Sequence, residues 1–162
     1  MLIVPFLMVG ALPFTAYADK PAAKVQGIGI VTMEATADDE AFDAFVEGDL
    51  FADNHFLMVG KIHSDGSARG FANFVFGEEF SALWGADVVT LKCEIDSGII
   101  SEDGTIVLQG LSFEEDFLEG VVIFEEITPF EIVIDPSGLL TLQWCAVPAF
   151  ELEITKGHLK AK

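Results

Sequence analysis

The segment from residue 88 to residue 110 constrains the fold more than any other part of the chain. Within it, apolar residues at positions 89, 91, 93 and 95 alternate with polar or charged residues at 90, 92, 94 and 96. A period of two is typical of a β-strand with one buried face and one face in water. The sequence Glu102-Asp103-Gly104-Thr105 then indicates a turn, and residues 106–108 begin the returning strand. The chain therefore has a predicted β-hairpin at its centre.

Further short apolar segments on both sides of this hairpin also have the character of strands. Residues 56–62 and 68–76 flank an Asp-Gly turn, and residues 130–134 and 139–145 flank an Asp-Pro-Ser-Gly turn. Residues 41–51 fit a helix or a strand, and their Phe and Val content favours the strand. About eight to ten short strands follow one another without a long helix. This pattern predicts an all-β protein, either a single antiparallel β-barrel or a barrel-like sandwich.

The first 18 residues differ in character from the rest of the chain. They contain no charged residue, and Ala16-Tyr17-Ala18 has the small-x-small pattern of a signal peptidase site. The apolar run is short for a membrane span and is interrupted by proline and glycine. We therefore predict a signal peptide at residues 1–18 and a single exported domain, extracellular or periplasmic, at residues 19–162. A retained membrane anchor is the alternative.

The chain contains two cysteines, Cys93 and Cys145. In an exported protein, two cysteines more often form a structural disulfide than a metal or redox site, and no C-x-x-C motif is present. We therefore expect one disulfide between Cys93 and Cys145, which would stabilise the fold by roughly 4 kcal/mol in the chain-entropy model. Two buried free thiols are the alternative, since cysteine is a common core residue.

The charge of the chain is strongly negative, with 27 acidic against 8 basic residues and a net charge of −19. Such a surface repels nucleic acid and anionic lipid, so we predict no nucleic-acid partner and no membrane partner after signal cleavage. It favours a basic partner or a cation. Calcium is the one cofactor with candidate sites, although no EF-hand loop is present. They are the acidic turn of Asp38, Asp39, Glu40 and Asp43, or else the acidic run Glu114-Glu115-Asp116.

The order of these motifs resembles a group of small secreted bacterial proteins of uncharacterised function that are predicted to be antiparallel β-barrels. The resemblance rests on Gly27-Ile28-Gly29 in the first strand, on the G-x-x-x-F-x-F pattern from Gly70 to Phe76, and on the V-x-x-x-C strand from Val89 to Cys93. It covers most of the chain after the N-terminal segment. It implies export and a barrel, and it supplies no activity.

The sequence shows no recognisable catalytic centre. A G-x-S-x-G motif is absent, and the three histidines form no local arrangement with serine or cysteine. Acidic doublets such as Glu114-Glu115 point to opposite faces of a strand, so a doublet alone is not a catalytic pair. We therefore predict a non-catalytic binding or structural module. An enzyme of barrel type with an unrecognised site is an alternative.

The aromatic residues suggest a further alternative, because 15 of the 18 are phenylalanine. A barrel of about eight strands can enclose a cavity for a small molecule. The protein would then bind a small hydrophobic ligand in the manner of a lipocalin. The same side chains could instead fill the core. The residues predicted to line such a cavity are Phe42, Phe71, Phe74, Phe76 and Trp84.

Overall fold

The computed structural model describes residues 21–38, 45–145 and 147–162. A helix of six residues, α1 (Glu78–Leu83), lies between the third and fourth of eight strands. The strands are β1 (Ala23–Ala35), β2 (Leu50–Ile62), β3 (Ser67–Val75), β4 (Val88–Ile100), β5 (Ile106–Leu118), β6 (Val121–Ile134), β7 (Leu140–Trp144) and β8 (Phe150–Ala161).

The eight strands form one closed barrel in which each strand pairs with its neighbours in the chain. Every pairing is antiparallel, and β1 closes the barrel by pairing with β8 over most of its length. Closure pairs both sides of each strand and so removes the open edges of a flat sheet. The predicted all-β class and single antiparallel barrel are therefore confirmed, with eight strands in the described residues.

The alternation that predicted the central hairpin is present in the structure. Val89, Leu91, Cys93 and Ile95 are buried, whereas Lys92, Glu94 and Asp96 of the same strand are exposed. The inward-facing side chains of all the strands form one hydrophobic core inside the barrel. At one end of the barrel, Phe80 of α1 contacts six aromatic rings and fills the interior there. An eight-stranded barrel is narrow enough to be filled in this way.

Two local predictions differ from the structure. Residues 45–49 are not part of a strand, since β2 begins at Leu50. Gly48 has a positive φ of 90°, and the backbone N–H of Val46 donates to the Asp49 carboxylate at 2.9 Å, so this segment is a turn. The helix α1 lies between the strand predicted at residues 68–76 and the central hairpin, where the sequence pattern predicts no helix. Residues 41–44 lie outside the described residues.

The predicted disulfide is absent, since Cys93 and Cys145 are not bonded to each other. Cys93 lies on β4 and is buried in the core, with Ala72 and Ser112 beside it on the neighbouring strands. Cys145 follows β7, and β5 and β6 separate β7 from β4 around the barrel. A cross-strand disulfide requires two cysteines on neighbouring strands. Cys93 and Cys145 both pack against the hydrophobic core, but their strands are not neighbours.

The predicted signal peptide at residues 1–18 lies outside the described residues, so export remains a prediction. In the parts of the chain that the structure describes, no helix has the length and apolar character needed to cross a membrane.

Candidate functional site

The inward-facing side of β5 changes from apolar to polar along the strand. Ile106 and Leu108 belong to the core, whereas Ser112, Glu114 and Asp116 on the same side are polar and buried. Glu114 is 6% exposed and Asp116 is 4% exposed. Carboxyl groups are rarely buried to this extent unless a partner compensates the loss of water. This end of the barrel is therefore a place to look for a ligand.

The two buried carboxyl groups have different partners. The indole N–H of Trp144 donates to Oε2 of Glu114 at 2.6 Å. The Oδ1 atom of Asp116 has no hydrogen-bond partner among the described residues. The one ion pair in the described part of the chain joins Lys92 to Glu115, so no cationic side chain there compensates Glu114 or Asp116. Two buried acids therefore face the site without a counter-charge.

A third carboxylate lies directly across the hairpin from Glu114. Glu126 of β6 is paired with Glu114 in the strand register. Its Oε2 atom accepts a hydrogen bond from the thiol of Cys145 at 3.2 Å. The site therefore combines three carboxylates and one thiol from β5, β6 and the end of β7.

The surroundings of Glu114 change its acidity. Burial and, to a smaller extent, the negative charges of Asp116 and Glu126 raise the pKa of Glu114 to about 7, although the hydrogen bond from Trp144 opposes the rise. Burial also raises the pKa of Asp116 above its usual value. Near neutral pH, Glu114 is therefore present in both its protonated and its ionised form, and a bound positive charge would favour the ionised form.

These groups line a cavity of about 370 Å³, which we term the acid-lined cavity. A volume of this size is suited to a small molecule. The acidic and thiol side chains of its lining are Glu114, Asp116, Glu126 and Cys145, and the aromatic and aliphatic ones are Trp84, Ile123, Phe124 and Val147. The two kinds of side chain adjoin each other, since Phe124 is directly opposite Asp116 in the strand register.

The cavity exists because β7 is much shorter than the hairpin of β5 and β6. β7 pairs only with residues 130–134 of β6, so residues 121–129 pair with β5 alone and extend past the barrel wall. The tip of the hairpin is fixed by Asp87, whose carboxylate accepts a hydrogen bond from the Glu119 backbone at 2.7 Å. The space between this overhanging hairpin and Trp84 is the cavity.

The residues predicted to line a ligand cavity lie in different places. Trp84 lines the acid-lined cavity. Phe74 and Phe76 are buried in the core, where Phe76 stacks on Trp144 with ring centroids 5.2 Å apart. Phe71 is 41% exposed on the outside of β3, and Phe42 lies outside the described residues. The four described residues therefore do not share one cavity.

Most of the candidate calcium turn lies outside the described residues, which include only Asp38 of its four acids. The Oδ1 atom of Asp38 accepts a hydrogen bond from the Glu47 backbone at 2.8 Å. Within the described ranges, no group of three or more His, Cys, Asp or Glu side chains is arranged to hold a metal ion. Calcium binding at Asp38, Asp39, Glu40 and Asp43 thus remains a prediction.

The run Glu114-Glu115-Asp116 is one of the calcium candidates predicted from the sequence, but that prediction did not place Glu114 and Asp116 together on the buried face. Glu114 and Asp116 are two residues apart and share a face, whereas Glu115 between them points outward to Lys92. Because strand side chains alternate, the informative spacing is i and i+2. Counting from the apolar residues Ile106 and Leu108 would have placed both acids on the buried face.

Comparison of the chain with known protein families, with curated proteins and with solved structures found no match. No relative therefore supplies a ligand or a reaction for the acid-lined cavity. Its function is inferred from the residues of the chain itself.

Proposed function

We propose that the protein binds a small organic cation with an apolar body, such as a protonated aromatic amine, in the acid-lined cavity. The observation that carries the proposal is Asp116, a carboxyl group that is 4% exposed and has no hydrogen-bond partner at Oδ1 among the described residues. A buried carboxylate without a partner is costly. An ammonium group would supply both the missing charge and the missing hydrogen-bond donors.

The apolar lining of the cavity suits the apolar part of such a ligand. Trp84, Ile123 and Phe124 present aromatic and aliphatic surface to the same space as the carboxylates. Burial of an apolar body there contributes roughly 25 cal/mol for each Å² removed from water. A cation close to the indole face of Trp84 would gain further attraction from the ring. The acidic and the apolar lining residues therefore match the two halves of an amphiphilic amine.

An ammonium group fits these acids better than a bare divalent cation. Calcium takes about six to eight oxygen ligands that converge on one point. The described residues hold no group of three acids arranged in that way. An ammonium group instead donates separate hydrogen bonds, which can reach Glu114 and Asp116 on the same face of β5.

The proposal includes a specific dependence on pH. A cationic ligand binds the ionised form of Glu114, whose pKa is raised to about 7 in the free protein. Binding therefore releases a proton from Glu114 near neutral pH, and the affinity rises as the pH increases through that range. A neutral ligand of the same shape would bind without this proton release.

Calorimetric titration with three isosteric probes tests the proposal. Phenethylamine carries a positive charge, 2-phenylethanol is neutral and phenylacetate is negative. At pH 8 we expect phenethylamine to bind at least about tenfold more tightly than 2-phenylethanol, and phenylacetate not to bind. Equal affinity for the amine and the alcohol would contradict the proposal, because the apolar lining residues alone would then account for binding.

The predicted lipocalin-like binding of a hydrophobic ligand is retained here in an altered form. The middle of the barrel is filled by buried side chains such as Met58, Leu91 and Leu108. The proposed ligand therefore occupies the end of the barrel beside α1, and its recognition depends on charge as well as apolar contact.

Acid–base catalysis is a second candidate function, favoured by the raised pKa of Glu114 beside a second buried acid. Pairs of carboxyl groups with different proton affinities are used as general acid and base in hydrolytic enzymes. A screen with nitrophenyl glycosides and esters tests this candidate. Turnover that follows a bell-shaped pH profile and disappears in the Glu114→Gln variant would support it, and absence of turnover would leave binding as the function.

A further inference from the structure

Over part of its length, the outer face of four adjacent strands is basic, in contrast to the rest of this acidic chain. In the register of the barrel, Lys24 of β1 is directly opposite Lys61 of β2, and Lys61 is directly opposite Arg69 of β3. On the other side of Lys24, Lys162 exchanges two backbone hydrogen bonds with it. Directly opposite residues share a face of a sheet, and all four side chains are exposed. We term these four residues the basic row.

The basic row is one edge of a larger surface that lacks acidic residues. This surface, the basic face, is the outer side of residues 156–162, 24–30, 55–61 and 69–75, and none of the 27 acidic residues falls in these four segments. Lys20 lies outside the described residues, and six of the seven other Lys and Arg residues are on the basic face. The seventh, Lys92, holds the one ion pair among the described residues. The six cations of the basic face therefore have no ion-pair partner there.

Apolar side chains lie next to the basic row on the same face. Ile28, Leu57, Val59 and Phe71 are between 38% and 51% exposed, and they occupy adjacent positions on β1, β2 and β3. Ile28, Leu57 and Val75 also line a shallow apolar groove of about 540 Å³ that extends to Lys156. A band of cations bordering a band of exposed apolar residues is an amphipathic surface.

We propose that the basic face binds to the surface of an anionic lipid bilayer. Clustered lysine and arginine residues are attracted to negatively charged headgroups, and neighbouring apolar side chains can enter the headgroup boundary. A nucleic acid would use the cations but would gain little from Ile28, Leu57 and Val59. The net charge of −19 led us to predict no membrane partner, but the charges are segregated, and the local face has the opposite sign.

Like charges placed directly opposite each other on neighbouring strands destabilise a sheet. The pairs Lys24–Lys61 and Lys61–Arg69 are two such contacts on one row. A binding role for the basic row accounts for their presence in a chain with few cations. Removing the charges should therefore weaken lipid binding without lowering the melting temperature.

Flotation of the protein with lipid vesicles tests the proposal. One set of vesicles contains one third phosphatidylglycerol in phosphatidylcholine, and the other contains phosphatidylcholine alone. We expect binding to the anionic vesicles only, and about tenfold weaker binding for the double variant Lys24→Gln/Lys61→Gln. The matched control Ser101→Glu/Gln143→Glu lowers the net charge by the same amount away from the basic face and should bind like the wild type.

A third variant separates the apolar contribution from the charge. Phe71→Ser keeps every cation and should also weaken binding to anionic vesicles, and the double variant Lys24→Gln/Lys61→Gln should melt no lower than the wild type. Equal binding to both kinds of vesicle, or equal loss in the control variant, would overturn the proposal. Tighter binding to single-stranded DNA than to anionic vesicles would also overturn it, as would salt-sensitive self-association that Lys24→Gln/Lys61→Gln abolishes while vesicles remain unbound.

Discussion

Trp144 on β7 donates its indole N–H to the carboxyl group of Glu114 on β5 at 2.6 Å, across the intervening strand β6. The indole is 1% exposed and stacks on Phe76, so the donor is held in place by the core. This contact marks the boundary between the packed barrel interior and the acid-lined cavity. It satisfies one oxygen of a buried carboxyl group in a cavity whose described lining includes no cationic side chain.

The stability of the protein should fall as the pH rises through neutrality. The pKa of Glu114 is raised from 4.5 to about 7 in the folded state, so the folded protein binds more protons than the unfolded chain between these values. The resulting loss in the free energy of unfolding is absent below the pKa of Glu114 in the unfolded chain. It is fully present above the pKa of Glu114 in the folded protein, where it amounts to roughly 3 kcal/mol. Urea unfolding at pH 5, 6, 7 and 8 measures it.

The Glu114→Gln variant is the control for this pH dependence. It removes the titrating group and should flatten the decline in the free energy of unfolding between pH 5 and pH 8. Asp116, whose pKa is also raised, contributes a change in the same direction. A wild-type protein that becomes more stable over this range, or a variant with an unchanged slope, would show that Glu114 is not perturbed as described.

Two glycines on one rung of the sheet should respond differently to substitution. Gly60 and Gly70 are directly opposite each other on β2 and β3. A Cβ atom at Gly70 would overlap the carbonyl oxygen of Val59 and lie 2.7 Å from the Gly60 Cα, whereas at Gly60 the nearest atom is a side-chain carbon of Ile95 at 3.6 Å. We expect Gly70→Ala to lower the free energy of unfolding by about 2 kcal/mol.

Gly60→Ala is the matched control for this substitution. It should change the free energy of unfolding by less than about 1 kcal/mol, because its Cβ meets only ordinary van der Waals contact and its backbone needs no glycine conformation. Chemical denaturation of the two variants side by side makes the comparison. Equal effects of the two substitutions would mean that the strand register at this rung is different.

Both cysteines should be reduced thiols, and the two thiols should differ in reactivity. In denaturant without reductant, Ellman's reagent should detect two thiols in each chain. In the native protein Cys145 should react first, because it lies at the acid-lined cavity, whereas Cys93 is 2% exposed and burial raises the pKa of its thiol. Phenethylamine should slow the reaction of Cys145. Detection of no thiols in denaturant would restore the disulfide that the sequence suggested.

The fold could be predicted because its main signals are local. The alternation of Val89, Leu91, Cys93 and Ile95 and the turn at Gly104 each depend on a few neighbouring residues. The order of strands then follows, because short turns join strands that pair with their neighbours. The position of Cys93 relative to Cys145 depends instead on how many strands lie between them around the closed barrel, which local patterns do not give.

The acid-lined cavity and the basic face were hidden for two different reasons. The cavity depends on β7 being shorter than the hairpin that contains Glu114, and the lengths of distant strands cannot be compared before their register is known. The basic face could not be predicted from the net charge, because a total of −19 for the whole chain says nothing about where Lys24, Lys61 and Arg69 lie. Their alignment follows from the register of three strands and not from their spacing in the sequence.

The most direct test of the proposed function compares two neighbouring carboxyl groups on β5. Asp116→Asn and Glu115→Gln each remove one negative charge, but Asp116 lines the acid-lined cavity and Glu115 faces outward to Lys92. Both tryptophans of the chain adjoin the site, Trp84 as a lining residue and Trp144 through its hydrogen bond to Glu114. Quenching of the intrinsic fluorescence therefore reports binding of phenethylamine.

At pH 8 we expect Asp116→Asn to weaken phenethylamine binding by about tenfold or more, because a charged hydrogen bond is lost, and Glu115→Gln to leave the affinity unchanged. The affinity for 2-phenylethanol should be similar in all three proteins. Equal affinities of the wild type and Asp116→Asn for phenethylamine, or no binding of phenethylamine to the wild type, would contradict the proposal that this cavity recognises an organic cation.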